Sequence, residues 1–177
     1  MTRREGSHVE GDGPSGGVVA YLGLGSNLGD SRRHVEQAVA EIDALPGTSV
    51  LRVSPLYGSK PWGKLDQPDY VNAVVEIATE MTPRDLLDAL KALERAHGRV
   101  FGERWGPRPL DIDILLHGTG STSEPDLEVP HPRMWDRAFV LRPLADLRPD
   151  LAAPDGRTVL ERLNDDEIAG QATWPLQ

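Results

Sequence analysis

Residues 70–79 read Tyr70-Val71-Asn72-Ala73-Val74-Val75-Glu76-Ile77-Ala78-Thr79, and this stretch with its sequel decides the fold. Val71, Ala73, Val75 and Ile77 recur at every second residue, which puts them on one face of a β-strand. The period then changes. Thr82-Pro83-Arg84-Asp85 supplies a capping Thr, a Pro at the first helical position and an acid three residues after the cap. Leu86, Leu90, Leu93 and His97 follow on one helical stripe until Gly98 stops it. After a polar loop over 99–109, Leu110-Asp111-Ile112-Asp113-Ile114-Leu115-Leu116 is a further strand. Upstream, residues 50–57 alternate as a strand, parted from 70–79 by a loop holding Gly58, Lys60, Pro61, Gly63 and Pro68. Before them, Val35, Ala38, Val39, Ile42 and Leu45 keep helical spacing until Pro46-Gly47 ends it. The apolar run 18–24 is the first strand, closing in the turn- and cap-rich residues 25–30. The order is β-α-β-β-α-β, the split βαβ or ferredoxin-like arrangement of an α+β protein. Residues 129–132 (VPHP) are expected to be rigid and extended, and 138–147 to form one more short helix; the acidic stretch from 148 fits no single element.

At 177 residues the chain suits one domain, expected over 18–177 after a disordered leader, 1–17, that has charges but no apolar core. A formal net charge of -9 argues against a nucleic-acid or anionic-membrane binder, and no apolar run approaches the roughly 18 residues of a membrane span. The absence of cysteine removes disulfides, thiolate metal sites and Cys nucleophiles, and fits a reducing cytoplasm.

Asp111-Ile112-Asp113 is the most informative triplet. Alternate side chains of a strand share a face, so both carboxylates project together while Ile112 and Ile114 enter the core. Two residues span roughly 6.6 Å, close enough for two carboxylates to hold hard cations such as magnesium, which takes oxygen ligands and substrate phosphates. Two Arg-rich stretches accompany the pair. Residues 95–108 hold Arg95, Arg99, Arg104 and Arg108 against Glu103 alone; residues 131–142 hold Arg133, Arg137 and Arg142 against Asp136, beside His131. Arg suits phosphate oxygens, so the combination points to a polyphosphate, although the arginines read singly also fit surface salt bridges. Arg104-Trp105-Gly106-Pro107-Arg108 reads as a lid, its Trp covering a flat ring. Ser59, Trp62, Tyr70, Asn72 and Phe139 would suit a planar heterocycle. There is no P-loop, and Gly23-x-Gly25-x-x-Leu28-Gly29 lacks the third glycine of the dinucleotide fingerprint, so it reads as a tight turn between strand and helix. A transferase acting on another heterocycle stays open on these residues; a non-catalytic RNA-binding module is disfavoured by the net charge and by Tyr21 as the only aromatic of the first strand.

Four segments resemble the 6-hydroxymethyl-7,8-dihydropterin pyrophosphokinases of folate synthesis: 23–29 (GLGSNLG), 66–72 (DQPDYVN), 103–113 (ERWGPRPLDID) and 129–131 (VPH). The resemblance runs from about residue 18 to 147. It implies a ferredoxin-like core and transfer of the β,γ-pyrophosphoryl group of ATP to the pterin hydroxymethyl, leaving AMP. It implies two Mg²⁺ ions on Asp111 and Asp113, and a nucleotide site formed by Glu94, Arg99, Arg108, Ile112, His131 and Arg137. Tyr70 and Phe139 would sandwich the pterin and Asn72 would pair with its edge, with Ser59, Lys60, Trp62, Trp105 and Asp111 around it. Arg99, Trp105, Arg108 and the two aspartates would carry catalysis, in a monomer with no nucleic-acid or membrane partner. Lys91, Phe101 and Pro132 stand where the family often has Gln, Arg and an aromatic.

Overall fold

The computed structural model describes residues 17–98 and 106–177; the expected leader, Gly17 apart, lies outside them. Strand β1 (Val18–Ser26) leads to helix α1 (Ser31–Asp43), capped by the Asp30 carboxylate accepting the Arg33 N–H. Next come β2 (Thr48–Val53), β3 (Tyr57–Ser59), β4 (Tyr70–Thr79), α2 (Pro83–Ala96) and β5 (Asp111–His117). All pairings are antiparallel: β5 beside β1, β1 beside β4, and the far edge of β4 shared by β2 and β3. The return strand β4 thus lies between the two strands joined by α1, as the ferredoxin-like topology requires.

The second strand differs from expectation. It is two strands, because Ser54-Pro55 interrupts it: Pro55 has no N–H for a ladder, and Ser54 Oγ accepts the Val74 N–H at 2.9 Å. β1 also runs past Leu24 to Ser26, so Gly25 is a strand residue and not part of the turn.

Alternation divides the sheet's two faces. Ala20, Leu22 and Leu24 of β1, Val75 and Ile77 of β4, and Ile112 and Ile114 of β5 pack against Val35, Ala38 and Ile42 of α1 and Leu86 and Leu90 of α2. Thr82 caps α2 as expected, and Gly98, at φ +90°, follows its C-cap His97. His97 Nδ1 lies 2.7 Å from His34 Nδ1 and its Nε2 2.8 Å from Glu41 Oε2, tying α2 to α1.

The opposite face carries the rest of the chain. β5 is followed by a hairpin that the sequence pattern did not predict, β6 (Thr122–Glu124) and β7 (Leu127–Val129). Val129 precedes a cis peptide to Pro130, and a turn at Met134–Asp136 leads into α3 (Ala138–Leu147), so the VPHP segment bends where an extended run was expected. Two one-turn helices, α4 (Val159–Arg162) and α5 (Asp166–Ala169), and an edge strand, β8 (Thr173–Pro175), organise the acidic stretch. Leu141 and Leu144 of α3, with Val159 and Ile168, cover Tyr21, Val74 and Leu115. They leave one end of this face open, and the functional residues gather there. Among the described residues no helix is long and apolar enough to cross a membrane.

Candidate active site

The open end of the sheet is the floor of a cleft of about 520 Å³. Its geometry follows from strand register. Gly25 pairs with Asp111 on one side and Asn72 on the other, and Gly23 pairs with Asp113 and Val74. Both glycines fall on the face opposite the α1–α2 core, where a side chain would otherwise stand. A Cβ at Gly25 would lie 3.4 Å from Asn72 Oδ1 and 3.5 Å from the Tyr70 ring. The floor is therefore bare backbone, walled by Asp111 and Asp113 on β5 and by Asn72 and Tyr70 on β4.

One end of the cleft is charged. Arg108 Nη1 lies 3.1 Å from Asp111 Oδ1. The Arg108 backbone is held by Asn27, which closes the GSN segment: the Arg108 N–H donates to Asn27 Oδ1 at 2.9 Å, and the Asn27 N–H to the Arg108 carbonyl at 3.1 Å. The Asn27 amide also donates to Gln67 Oε1 at 2.8 Å and the Pro68 carbonyl at 3.1 Å, so one buried side chain ties three segments together. His131 Nδ1 accepts the Arg133 N–H at 3.1 Å, which leaves the ring proton on Nε2, 3.9 Å from Asp113 Oδ2. Burial, with Arg137 adding to it, pushes the His131 imidazole down to about 4. At neutral pH His131 is thus an uncharged donor facing the cleft and forms no ion pair with Asp113. Arg137 is half-buried, and burial draws it below its ordinary value while Asp113 opposes the shift. Glu94 is buried and accepts the Ile112 N–H at 2.8 Å; Ile112 meets the site through its backbone and sends its side chain into the core.

The other end is aromatic. Trp62 and Phe139 meet edge to face, 6.3 Å between centroids, and the Arg137 guanidinium lies 6.0 Å from the first ring and 5.5 Å from the second. Asn72 donates from Nδ2 to Ser59 Oγ at 2.8 Å, which turns its Oδ1 over Gly25 as an acceptor. Lys60 lines this end, its ammonium 3.1 Å from Asp69 Oδ1.

The structure therefore brings together on one cleft Ser59, Lys60, Trp62, Tyr70 and Asn72, then Glu94, Arg108, Asp111, Ile112 and Asp113, and finally His131, Arg137 and Phe139. Arg99 and Trp105 lie outside the described residues. Arg95, Arg133 and Arg142 do not line the cleft, so the two Arg-rich stretches contribute Arg108 and Arg137 among the described residues. Sequence reasoning missed the hairpin's Asp126 and Glu128, which line the cleft, and the floor role of Gly23 and Gly25. The glycines' signal was their place opposite two acids, visible only once β1 pairs with β5.

Among the described residues no group of three or more His, Cys, Asp or Glu is set to hold a metal ion. The Asp111–Asp113 pair still fits magnesium, because that ion retains water and completes its octahedron with substrate phosphates, so two carboxylate ligands suffice.

The family model of 7,8-dihydro-6-hydroxymethylpterin-pyrophosphokinase (HPPK) matches residues 21–149. A 2-amino-4-hydroxy-6-hydroxymethyldihydropteridine pyrophosphokinase of Pseudomonas aeruginosa is 52% identical over 143 residues, 81% of this chain and 88% of that protein. Its counterpart in Methylorubrum extorquens is 46% identical over 144 residues, 81% and 90% of the two chains. Among solved structures, a Plasmodium falciparum HPPK-DHPS triple mutant with pteroate superposes with a TM-score of 0.67 at 16% identity, over 84% of this chain. The chain spans 43% of that longer one, and the likeness is one of fold. A ferredoxin-like sheet with Asp111 and Asp113 on its open face, a model match over most of the chain and relatives at this identity agree: the chain belongs to the 7,8-dihydro-6-hydroxymethylpterin-pyrophosphokinase family.

Proposed function

We propose that this chain transfers pyrophosphate from ATP to 6-hydroxymethyl-7,8-dihydropterin, giving the pterin diphosphate and AMP, a step of folate biosynthesis. The observation that carries the reading is the position of Asp111 and Asp113 on the open sheet face, beside Arg108 and His131 and across Gly25 from Asn72. A flat heterocycle at one end and a triphosphate at the other would meet at these carboxylates.

At the aromatic end, Tyr70 and Phe139 hold the ring and Asn72 Oδ1 accepts from its edge, with Ser59 fixing that amide. Arg108 at the charged end, and Arg137 where the charged and aromatic ends meet, neutralise phosphate oxygens, and the neutral His131 Nε2–H donates to one. Glu94 and the Ile112 backbone border the nucleotide. Asp111 and Asp113 would hold two Mg²⁺ ions, which when bound supply charge neutralisation of the triphosphate. The hydroxymethyl oxygen then bonds to the β-phosphorus as the bond from that phosphorus to the oxygen bridging it to the α-phosphorus breaks; AMP leaves with the bridging oxygen and the hydroxyl proton is released. Transfer of this kind depends on alignment and charge compensation more than on covalent help, and the cleft offers both. Arg99 and Trp105 enter as a triphosphate contact and a cover over the ring. The chain would act as a monomer in the cytoplasm, with whose reducing setting the lack of cysteine accords.

The test is incubation with ATP, magnesium and the hydroxymethyl-dihydropterin. AMP is the expected nucleotide product. ADP would make the chain a simple kinase and released pyrophosphate a nucleotidyltransferase, and either would overturn the reading.

A further inference from the structure

Residues 171–176 touch both walls of the aromatic end without lining it. On one side, β8 extends the sheet beyond β3: Gly58 pairs with Trp174, Ser59 with Thr173 and Tyr57 with Pro175. The ladder continues past both ends, with the Lys60 N–H donating to the Ala172 carbonyl at 3.3 Å and the Leu176 N–H to the Leu56 carbonyl at 2.9 Å. A three-residue strand such as β3, otherwise held only by the start of β4, has little pairing of its own. The Trp174 indole lies directly on the Gly58 backbone, since a Cβ there would sit 2.4 Å from Trp174 Nε1. Lys60 Nζ lies 5.6 Å from the same ring. β3 and the residue after it carry Ser59 and Lys60 to the cleft.

On the other side, Gln171 reaches the turn that carries Arg137 and Phe139. α3 begins without a side-chain cap of its own at Arg137. The Gln171 amide replaces it: Oε1 accepts the Ala138 N–H at 2.8 Å, and Nε2 donates to the Asp136 carbonyl at 2.8 Å. One side chain thus brackets Arg137 from both flanks and fixes the direction in which the following Phe139 leaves the turn.

We propose that residues 171–176 are a brace joining the two facing walls of the pterin end, with Gln171 and Trp174 as its positioning residues. The substrate named in this inference rests on the function proposed above; the brace itself does not. Neither residue touches substrate. Trp174 acts through β3 on Ser59 and Lys60, and Gln171 acts through the start of α3 on Arg137 and Phe139.

The two residues carry different signatures. Trp174→Ala raises the KM for the pterin about tenfold and leaves the KM for ATP within twofold, because only the β3 wall loosens. Gln171→Ala raises both KM values, because Arg137 faces the phosphates as well as the rings. Trp174→Phe, which keeps a flat ring on Gly58, restores the pterin KM. Arg157→Ala serves as a control: it breaks the Arg157–Asp165 ion pair within the same C-terminal region and away from the cleft, and lowers the melting temperature with both KM values unchanged. Amide hydrogen exchange supplies the readout independent of turnover. Exchange at Gly58 and Lys60 speeds about tenfold in Trp174→Ala, and at Ala138 in Gln171→Ala, with β1 and β5 unchanged. Unaltered exchange at these amides overturns the brace. Faster exchange with an unmoved pterin KM also overturns it, leaving the segment a structural edge alone. If the wild-type enzyme forms no AMP, the functional reading falls, and exchange alone decides whether the segment holds the two walls.

Discussion

Asn72 and Asp111, 39 residues apart in sequence, are both cross-strand partners of Gly25 and look at each other across its bare backbone. The space between them exists because residue 25 has no side chain. An alanine Cβ would sit at ordinary van der Waals distance, 3.4 Å, from Asn72 Oδ1, so Gly25→Ala folds without a clash. Alanine in a strand interior is favoured over glycine by about 0.5 kcal/mol, so stability is held or slightly raised. In the proposed site the methyl group nevertheless occupies the floor under the pterin, and the KM for that substrate rises about tenfold. Thermal melting and steady-state kinetics on the same preparation check the separation. A variant with wild-type KM would show that the substrate does not lie on Gly25.

Asp113 is only partly covered, its side chain 42% exposed, and it faces the His131 Nε2–H at 3.9 Å and the charge of Arg137. Asp113→Asn keeps size and shape, so the fold is retained. If Asp113 holds magnesium as proposed, the loss of its charge removes a ligand and turnover falls by about 100-fold or more. AMP formation measured across a magnesium titration is the check, and wild-type turnover with ordinary magnesium dependence would remove Asp113 from the metal site.

Asp111-Ile112-Asp113 was legible because period-two alternation states which face each residue takes, and the apolar flanks state which face is core. The helices were legible through Thr82, Pro83 and Gly98, whose cap chemistry is local. What stayed hidden depends on partners distant in sequence. Three-residue strands such as β3, β6 and β8 hold too few alternations to signal a period, and form because an edge is waiting for them. Gly25 looked like a turn residue because only the pairing with Asp111 and Asn72 reveals it as floor. Gln171 gave no signal, since the helix start it caps lies 33 residues away. Charge counting identified Arg-rich segments but not which members face inward: Arg137 does, while Arg133 and Arg142 do not line the cleft.

Asn27 is a structural keystone of the charged end. Its side chain accepts from Arg108 N and donates to Gln67 and to the Pro68 carbonyl. Asn27→Ala strands these groups in a buried setting, at a cost of about 2–3 kcal/mol in chemical denaturation. Asn27→Asp retains the acceptor for Arg108 N and loses the amide donors, so it falls between alanine and wild type. If both variants denature at the wild-type midpoint, the three bonds contribute nothing and the Arg108 segment is held by other contacts.

On the α3 side of the sheet, Glu76 accepts from Tyr21 Oη at 2.5 Å and from Arg52 Nε and Nη2 at 3.1 and 2.9 Å, while Arg148 donates to the same phenol at 3.0 Å. Arg52 holds the Glu76 carboxyl below its ordinary value of 4.5, against the opposing pull of burial and with help from Tyr21. A depressed carboxylate contributes stability that is present above its unfolded value and lost as pH falls through the folded one. Wild-type stability owed to Glu76 is therefore full at neutral pH and declines below about 4.5. Glu76→Gln removes the charge and costs about 2 kcal/mol at pH 7, toward the lower end for such pairs because the Arg52 side chain is 46% exposed. The gap between the two proteins narrows as the pH is lowered from 4.5 to 3. Denaturation midpoints measured at half-unit steps test this: parallel wild-type and Glu76→Gln curves over that range would show that Glu76 is not depressed in the folded protein.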